Sequence, residues 1–231
     1  MKTNIKSVGA ITRINFTKTT WIGYLVALIG ALSTYIQVLI RYVINMPGEG
    51  ITSAENNLLL ILILSAILIP AVNFKKIMHL NGRKIDFFWG CIFNYIILSA
   101  VLSIVILVLN KTIDKSMNSV AEIWDIIDIF GWTNNGILLA LVRQFSFYLL
   151  LAVTLHTLTL IQTFWWGWVI DFFIASIISV FTPIKMLRKL LVDFFNVIIF
   201  NPNPLHHIAI CLTLAVLIYS FNISILKRKK I

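Results

Sequence analysis

The sequence predicts an all-α polytopic membrane protein with six transmembrane helices and both termini in the cytoplasm. Three observations carry that prediction. The 231 residues are 59% apolar and only 12% charged, whereas soluble domains are about half apolar and about a quarter charged. A soluble fold built from this chain would lack the polar surface to cover itself. The apolar residues gather in six runs of roughly the length a membrane span requires. The cations also divide unevenly between alternate connections, as they do when one side of the membrane holds the positive loops. The composition excludes a disordered chain, a collagen-like repeat and a secreted disulfide scaffold. At about 20 residues per span, six spans leave room for a single transmembrane domain over 1–231 and no separate soluble one.

The first run, 21–44, follows a basic N-terminal segment and is too long for a signal-peptide core, so it reads as a retained span. A polar stretch with Pro47, Gly48 and Gly50 leads to the second, 58–74, which Pro70 is expected to bend near its end. The third is 90–109. The fourth, 136–160, is joined by a short turn at Gln162 to the fifth, 165–182. The sixth, 208–226, ends in Lys227, Arg228, Lys229 and Lys230. Cys91 and Cys211 fall inside apolar runs and read as small core residues.

An even number of spans puts both termini on one side. That side holds twelve cations (Lys2, Lys6, Arg13, Lys18, Lys75, Lys76, Arg83, Lys84 and the four at the C-terminus) with Asp86 as its only acid. The other side holds five cations (Lys111, Lys115, Lys185, Arg188, Lys189) and seven acids (Glu49, Glu55, Asp114, Glu122, Asp125, Asp128, Asp193). The formal net charge of +10 is therefore explained by membrane sidedness and anionic lipid, and nucleic acid is not needed as a partner. The expected location is the cytoplasmic membrane.

Four segments outside the spans carry pattern. Residues 1–18 place Ile5, Val8 and Ile11 at helical spacing with cations between. They form either an interfacial helix on the inner membrane surface or a basic flank that orients the first span. Lys75–Trp89 is far longer than a tight turn needs and is interrupted by Asn81-Gly82. It reads as a helix–turn element protruding toward a cytosolic partner. In 119–132, Ser119 and Glu122 have capping-box spacing, and Ile123, Ile126, Ile127 and Phe130 form a stripe, which predicts an external interfacial helix. Pro183 suits a first helical position, and Leu187, Leu190, Leu191, Phe194, Phe195 and Ile198 recur on one face after it. This amphipathic segment, 183–201, can be a helix or a broken hairpin dipping into the outer leaflet.

Ionisable residues inside membrane spans are candidate functional groups or polar glue between helices. Arg41 lies near the outer end of its span and can snorkel. Arg143, His156 and Asp171 lie deeper. Arg143 and Asp171 are offset in depth, so His156 is the better expected match for Asp171. His206 and His207 read as flanking the sixth span, and Trp165, Trp166 and Trp168 as an interface belt. No His, Cys, Asp or Glu cluster suggests a metal. Neither Gly-x-Ser-x-Gly nor His-Glu-x-x-His is present, so an intramembrane enzyme is disfavoured.

The six-span plan, the basic Asn81-Gly82-Arg83-Lys84 loop between the second and third spans, and the amphipathic external element between the fifth and sixth together resemble the ABC-2 type permeases. These are the membrane subunits of one class of ABC exporter, and the chain looks like their short Gram-positive forms. The resemblance covers essentially the whole chain and is architectural. It implies an interfacial helix before the first span and re-entrant helices before the sixth. It also implies a coupling helix in which Lys75, Lys76, His79, Asn81, Gly82, Arg83, Lys84 and Phe87 meet a cytosolic ABC ATPase subunit. A second permease subunit, identical or related, would complete the assembly, with the path along spans one, two and five. The chain has no Walker A pattern, so ATP and Mg would sit on the partner ATPase and this chain would hold no cofactor. The expected cargo is amphipathic: a peptide, an antibiotic or a lipid-like molecule. Two other readings remain open at this level. One is the capture subunit of a vitamin or small-molecule importer, and the other is an immunity or sensor protein without flux.

Overall fold

The computed structural model describes residues 4–44, 51–114 and 123–229. It is helical almost throughout. Helix α1 runs Ile5–Ile44, α2 Ala54–His79, α3 Lys84–Thr112, α5 Ile137–Ile161 and α8 Pro204–Arg228. These five helices are long and apolar enough to cross a membrane. Between them lie the single turn α4 (Ile126–Ile129), α6 (Trp165–Phe181) and α7 (Lys185–Ile198). Helices α6 and α7 meet at 118° and supply a sixth crossing if the bent pair counts as one span. At 17 residues α6 reaches about 25 Å, short of a bilayer's hydrocarbon core of about 30 Å.

Helix α5 is the centre. Its buried residues, among them Ala140, Gln144, Tyr148, Ala152, Val153, His156 and Leu160, lie around most of its circumference, and α2, α3 and α8 pack on it. Helix α1 shows how a lipid-facing helix is held. One face is small, with Gly23, Ala27 and Gly30; the other is large and exposed, with Leu28, Ile29 and Leu39. A Cβ at Gly23 would lie 2.9 Å from the Ile61 Cα, and one at Gly30 would lie 2.8 Å from the Asn57 side chain. Only hydrogen at these positions lets α1 approach α2 this closely, the usual basis of helix association in lipid.

Several boundaries differ from those the sequence predicts. The amphipathic residues 5–14 are not a separate interfacial helix. They continue into the first span through a π-turn at Asn15–Thr19 and lie against α3, where Thr12 Oγ1 donates to the Gly90 carbonyl at 3.3 Å. Helix α2 runs past the predicted end at 74 despite Pro70. A π-turn at Ile69–Asn73 accommodates it, and the helix continues to His79. Helix α3 starts at Lys84 rather than Gly90. The expected fifteen-residue basic loop is therefore two helix ends joined by residues 80–83. The capping pair Ser119/Glu122 lies outside the described residues. The helix described nearby is shorter than predicted, because Ile123–Trp124 pairs in parallel with Ile51–Thr52 and Asp125 caps α4. Pro183 lies in the bend before α7 and is not its first residue.

Contacts place both described chain ends at one end of the bundle. The Asn4 amide donates to Asp86 at 3.2 Å, and Lys84 Nζ donates to the Lys229 carbonyl at 2.6 Å. The paired strands, α4 and the 199–203 turn are at the opposite end.

Candidate functional site

Three groups of residues could carry chemistry. The first is the basic hairpin between α2 and α3. Lys75, Lys76, His79, Leu80, Asn81 and Arg83 are exposed, with Leu80 at 75%. The turn is shaped by two residues. Asn81 is left-handed at φ 58°, a conformation asparagine tolerates better than most residues. The Gly82 amide donates back to the Ile77 carbonyl at 2.9 Å, and a Cβ there would lie 2.7 Å from that oxygen. Beyond the turn, Arg83 holds Asp86 with Nε at 2.8 Å and Nη2 at 3.0 Å. Lys84 is half-buried against the C-terminal carbonyls. Phe87 is fully buried, edge-on to Phe74 with centroids 5.3 Å apart. It anchors the hairpin and cannot touch a partner, contrary to the sequence expectation. Apolar spacing on a protruding element reads the same whether the face meets a partner or its own bundle. Lys229 lies over the Phe74 ring at 4.5 Å. Burial, then the nearby Lys75, pull its ammonium down to about 8.

The second group is the polar interior. His156 does not meet Asp171. Its Nδ1 shares a 2.7 Å hydrogen bond with the Tyr95 hydroxyl, and its ring packs beside Phe87 and Tyr219. Asp171 accepts from Gln162 Nε2 at 2.9 Å across the α5–α6 corner. Arg143 pairs with neither: its Nη2 donates to the Asn201 carbonyl at 2.7 Å. Among the described residues no group of three or more His, Cys, Asp or Glu is placed to hold a metal ion. Sequence reading missed a buried junction of π-turns. Asn73 Nδ2 donates to Asn15 Oδ1 at 2.9 Å and to Thr19 Oγ1 at 2.5 Å, and Thr20 Oγ1 donates to the Asn15 carbonyl at 3.1 Å. The π-turns in α1 and α2 thus present their widened backbones to each other, a feature often found at functional sites. Two asparagines 58 residues apart, one in the basic N-terminal segment and one in the second run, gave no periodic signal.

The third group is a clasp at the end of the bundle opposite the described chain ends. The Trp124 carbonyl accepts from the Ser53 amide at 2.9 Å and from Asn56 Nδ2 at 3.0 Å, while Asn56 Oδ1 accepts from the Ile126 amide at 3.3 Å. Glu55 and Asp125 are both buried, at 2% and 3% exposure. Asn110 Nδ2 donates to both Asp125 and Asp128. Burial pushes the Asp125 carboxyl up from its usual value, opposed by the Ile127 amide and Glu55 and reinforced by Asp128. The folded clasp therefore binds a proton that the unfolded chain has already released. It is most stable below the ordinary carboxylate pKa of about 4 and loosens as pH rises through the elevated value. Hydrogen exchange at the Ser53 amide, corrected for the intrinsic rate, should accelerate over that range in wild type and stay flat in Asp125→Asn.

Helix α7 lies within the predicted amphipathic segment. Leu190, Phe194 and Phe195 are exposed at 58%, 55% and 44%, Leu187 and Leu191 are half-buried, and Ile198 alone is buried. Its apolar stripe is turned away from the bundle interior, as suits a helix lying at a lipid surface. Comparison of the chain with protein-family models, with curated proteins and with solved structures returns no match.

Proposed function

We propose that this chain is the membrane permease subunit of an ABC-type exporter. Two such chains, or this one and a related partner, would form a path for an amphipathic cargo, powered by ATP hydrolysis on cytosolic ATPase subunits. The observation that carries the reading is the hairpin at residues 80–83. It is a short basic tip on two long spanning helices, braced by Arg83–Asp86 and by buried Phe87, so a push on the tip would be transmitted along α2 and α3. A loop that served sidedness alone would not require that bracing. The six-crossing topology with cytoplasmic termini belongs to this proposal, and the shared end of the bundle occupied by the chain ends and the hairpin supports it. The exposed apolar faces of α1 and α6 suit lipid and the second permease subunit.

The test is purification of the tagged chain in mild detergent, with mass spectrometry of the proteins that accompany it. An ABC ATPase at about one copy per chain supports the proposal; recovery alone, or with a bound small molecule, overturns it in favour of a capture subunit. Charge reversal refines the test. Arg83 and Lys84 brace the hairpin, so reversing them would disturb the turn itself. Lys75 and Lys76 project from its surface. Lys75→Glu with Lys76→Glu should reduce ATPase recovery at least tenfold while leaving the yield of inserted chain unchanged.

A further inference from the structure

Arg143 is 1% exposed and lies about 9 Å along α5 from its outer end at Ile137. A guanidinium stays charged at all accessible pH values, and burying a charge without a partner costs several kcal/mol. No carboxylate among the described residues contacts it. Its hydrogen bond is from Nη2 to the Asn201 carbonyl, and its Nε has no partner. Arg83 shows what the same fork does when it is satisfied, with Nε and Nη2 each holding one oxygen of Asp86 at 2.8 and 3.0 Å. On Arg143 one tooth of that fork holds a neutral carbonyl and the other is empty.

The surroundings point the same way. Arg143 Cζ lies 6.0 Å from the centroid of the Trp132 ring, and the His207 ring is 5.6 Å from it. His207 is fully buried, with Nε2 toward Cys211 Sγ at 3.8 Å and Nδ1 without a partner. As the Nδ1–H tautomer of the neutral ring it would donate from Nδ1. His207 is also in the first turn of α8, whose N-terminus carries the positive end of the helix dipole. The cover is only the turn between α7 and α8, where Pro202 and Asn203 are exposed.

We infer that Arg143, His207 and the Asn201 turn form an oxyanion site at the outer end of the bundle, and that its ligand is the phosphodiester of an anionic lipid headgroup. Two phosphate oxygens match the Nε/Nη2 fork. Trp132, whose ring centroid is 6.0 Å from the Arg143 Cζ, is a residue type that favours the membrane interface. The exposed Lys185, Arg188 and Lys189 on α7, which leads into the covering turn, favour an anionic bilayer surface over a free ion. This inference does not depend on the permease proposal.

Thermal unfolding of the purified full chain in detergent tests it, with phosphatidylglycerol, phosphatidylcholine or inorganic phosphate added. Phosphatidylglycerol should raise the melting temperature by about 2–4 °C more than phosphatidylcholine, and Arg143→Gln should abolish that difference. An equal rise with inorganic phosphate would keep the oxyanion site but make a free anion its ligand. No rise in wild type with either phosphatidylglycerol or phosphate, or an undiminished rise in Arg143→Gln, overturns the inference. Should Arg143→Gln fail to fold, the wild-type comparison still decides the matter, and His207→Gln should reduce the lipid effect.

Discussion

Trp132→Ala should destabilise the protein by about 3–5 kcal/mol, the range for deleting a fully buried large aromatic. Trp132 has no exposed surface and packs against Phe130, Phe147 and His207, with centroids 5.1, 5.5 and 5.6 Å away. Its Nε1 donates to the Ile199 carbonyl at 2.9 Å, tying the segment before α5 to the end of α7. Alanine would leave a cavity between the segment before α5 and the end of α7, and an unpaired carbonyl at Ile199. Trp132→Phe keeps most of the ring and loses only the hydrogen bond, so its loss should be nearer 1 kcal/mol. Denaturation in detergent, with both variants beside wild type, checks the order. Equal losses would mean that the hydrogen bond, not the packing, holds the turn.

Gly167→Ala should have an effect out of proportion to one methyl group. A Cβ at Gly167 would lie 2.2 Å from the Ile161 carbonyl oxygen, 2.6 Å from its carbon and 2.9 Å from the Gln162 nitrogen. All three are backbone atoms, so no side-chain rotation can relieve the overlap. Helix α6 would have to swing away from the end of α5, breaking the Gln162–Asp171 hydrogen bond and the stacking of Phe164 on Trp166, whose centroids are 5.5 Å apart. The expected result is a severalfold lower yield of monodisperse protein. Gly9→Ala is the control: a Cβ there meets nothing within 4 Å. In a helix interior it should be neutral or stabilising by up to about 1 kcal/mol. Size-exclusion profiles of the two variants separate the close approach at Gly167 from a general effect of removing glycine.

Much of the architecture was legible in the chain because membrane spans are set by length and hydropathy, which are local quantities. All five spanning helices and α6 overlap the six predicted runs, and α7 lies inside the predicted amphipathic segment. The errors fell where a local pattern has two solutions. The second run reads as ending at 74, but a π-turn absorbs the missing amide of Pro70 and the helix continues to His79. Residues 5–14 have an amphipathic face that fits a membrane surface and fits α3 equally well. Phe87 was expected at a partner surface because the family resemblance assigns that segment to a coupling helix, but it is fully buried in the bundle.

The polar residues separate what each level decides. Composition and charge alone determined that this chain is built for a membrane and which connections are basic, because the cost of moving charge into hydrocarbon dominates every other term. They also marked Arg143, His156 and Asp171 as residues needing an explanation. Only the tertiary structure decided who meets whom. His156 took Tyr95 from α3, Asp171 took Gln162 across a corner, Asn15 and Asn73 found each other through two π-turns, and Arg143 was left with one carbonyl. Each choice turns on a helix rotation of a few tens of degrees and an axial shift of a few ångströms. Packing between helices sets those values, and no run of neighbouring residues encodes them.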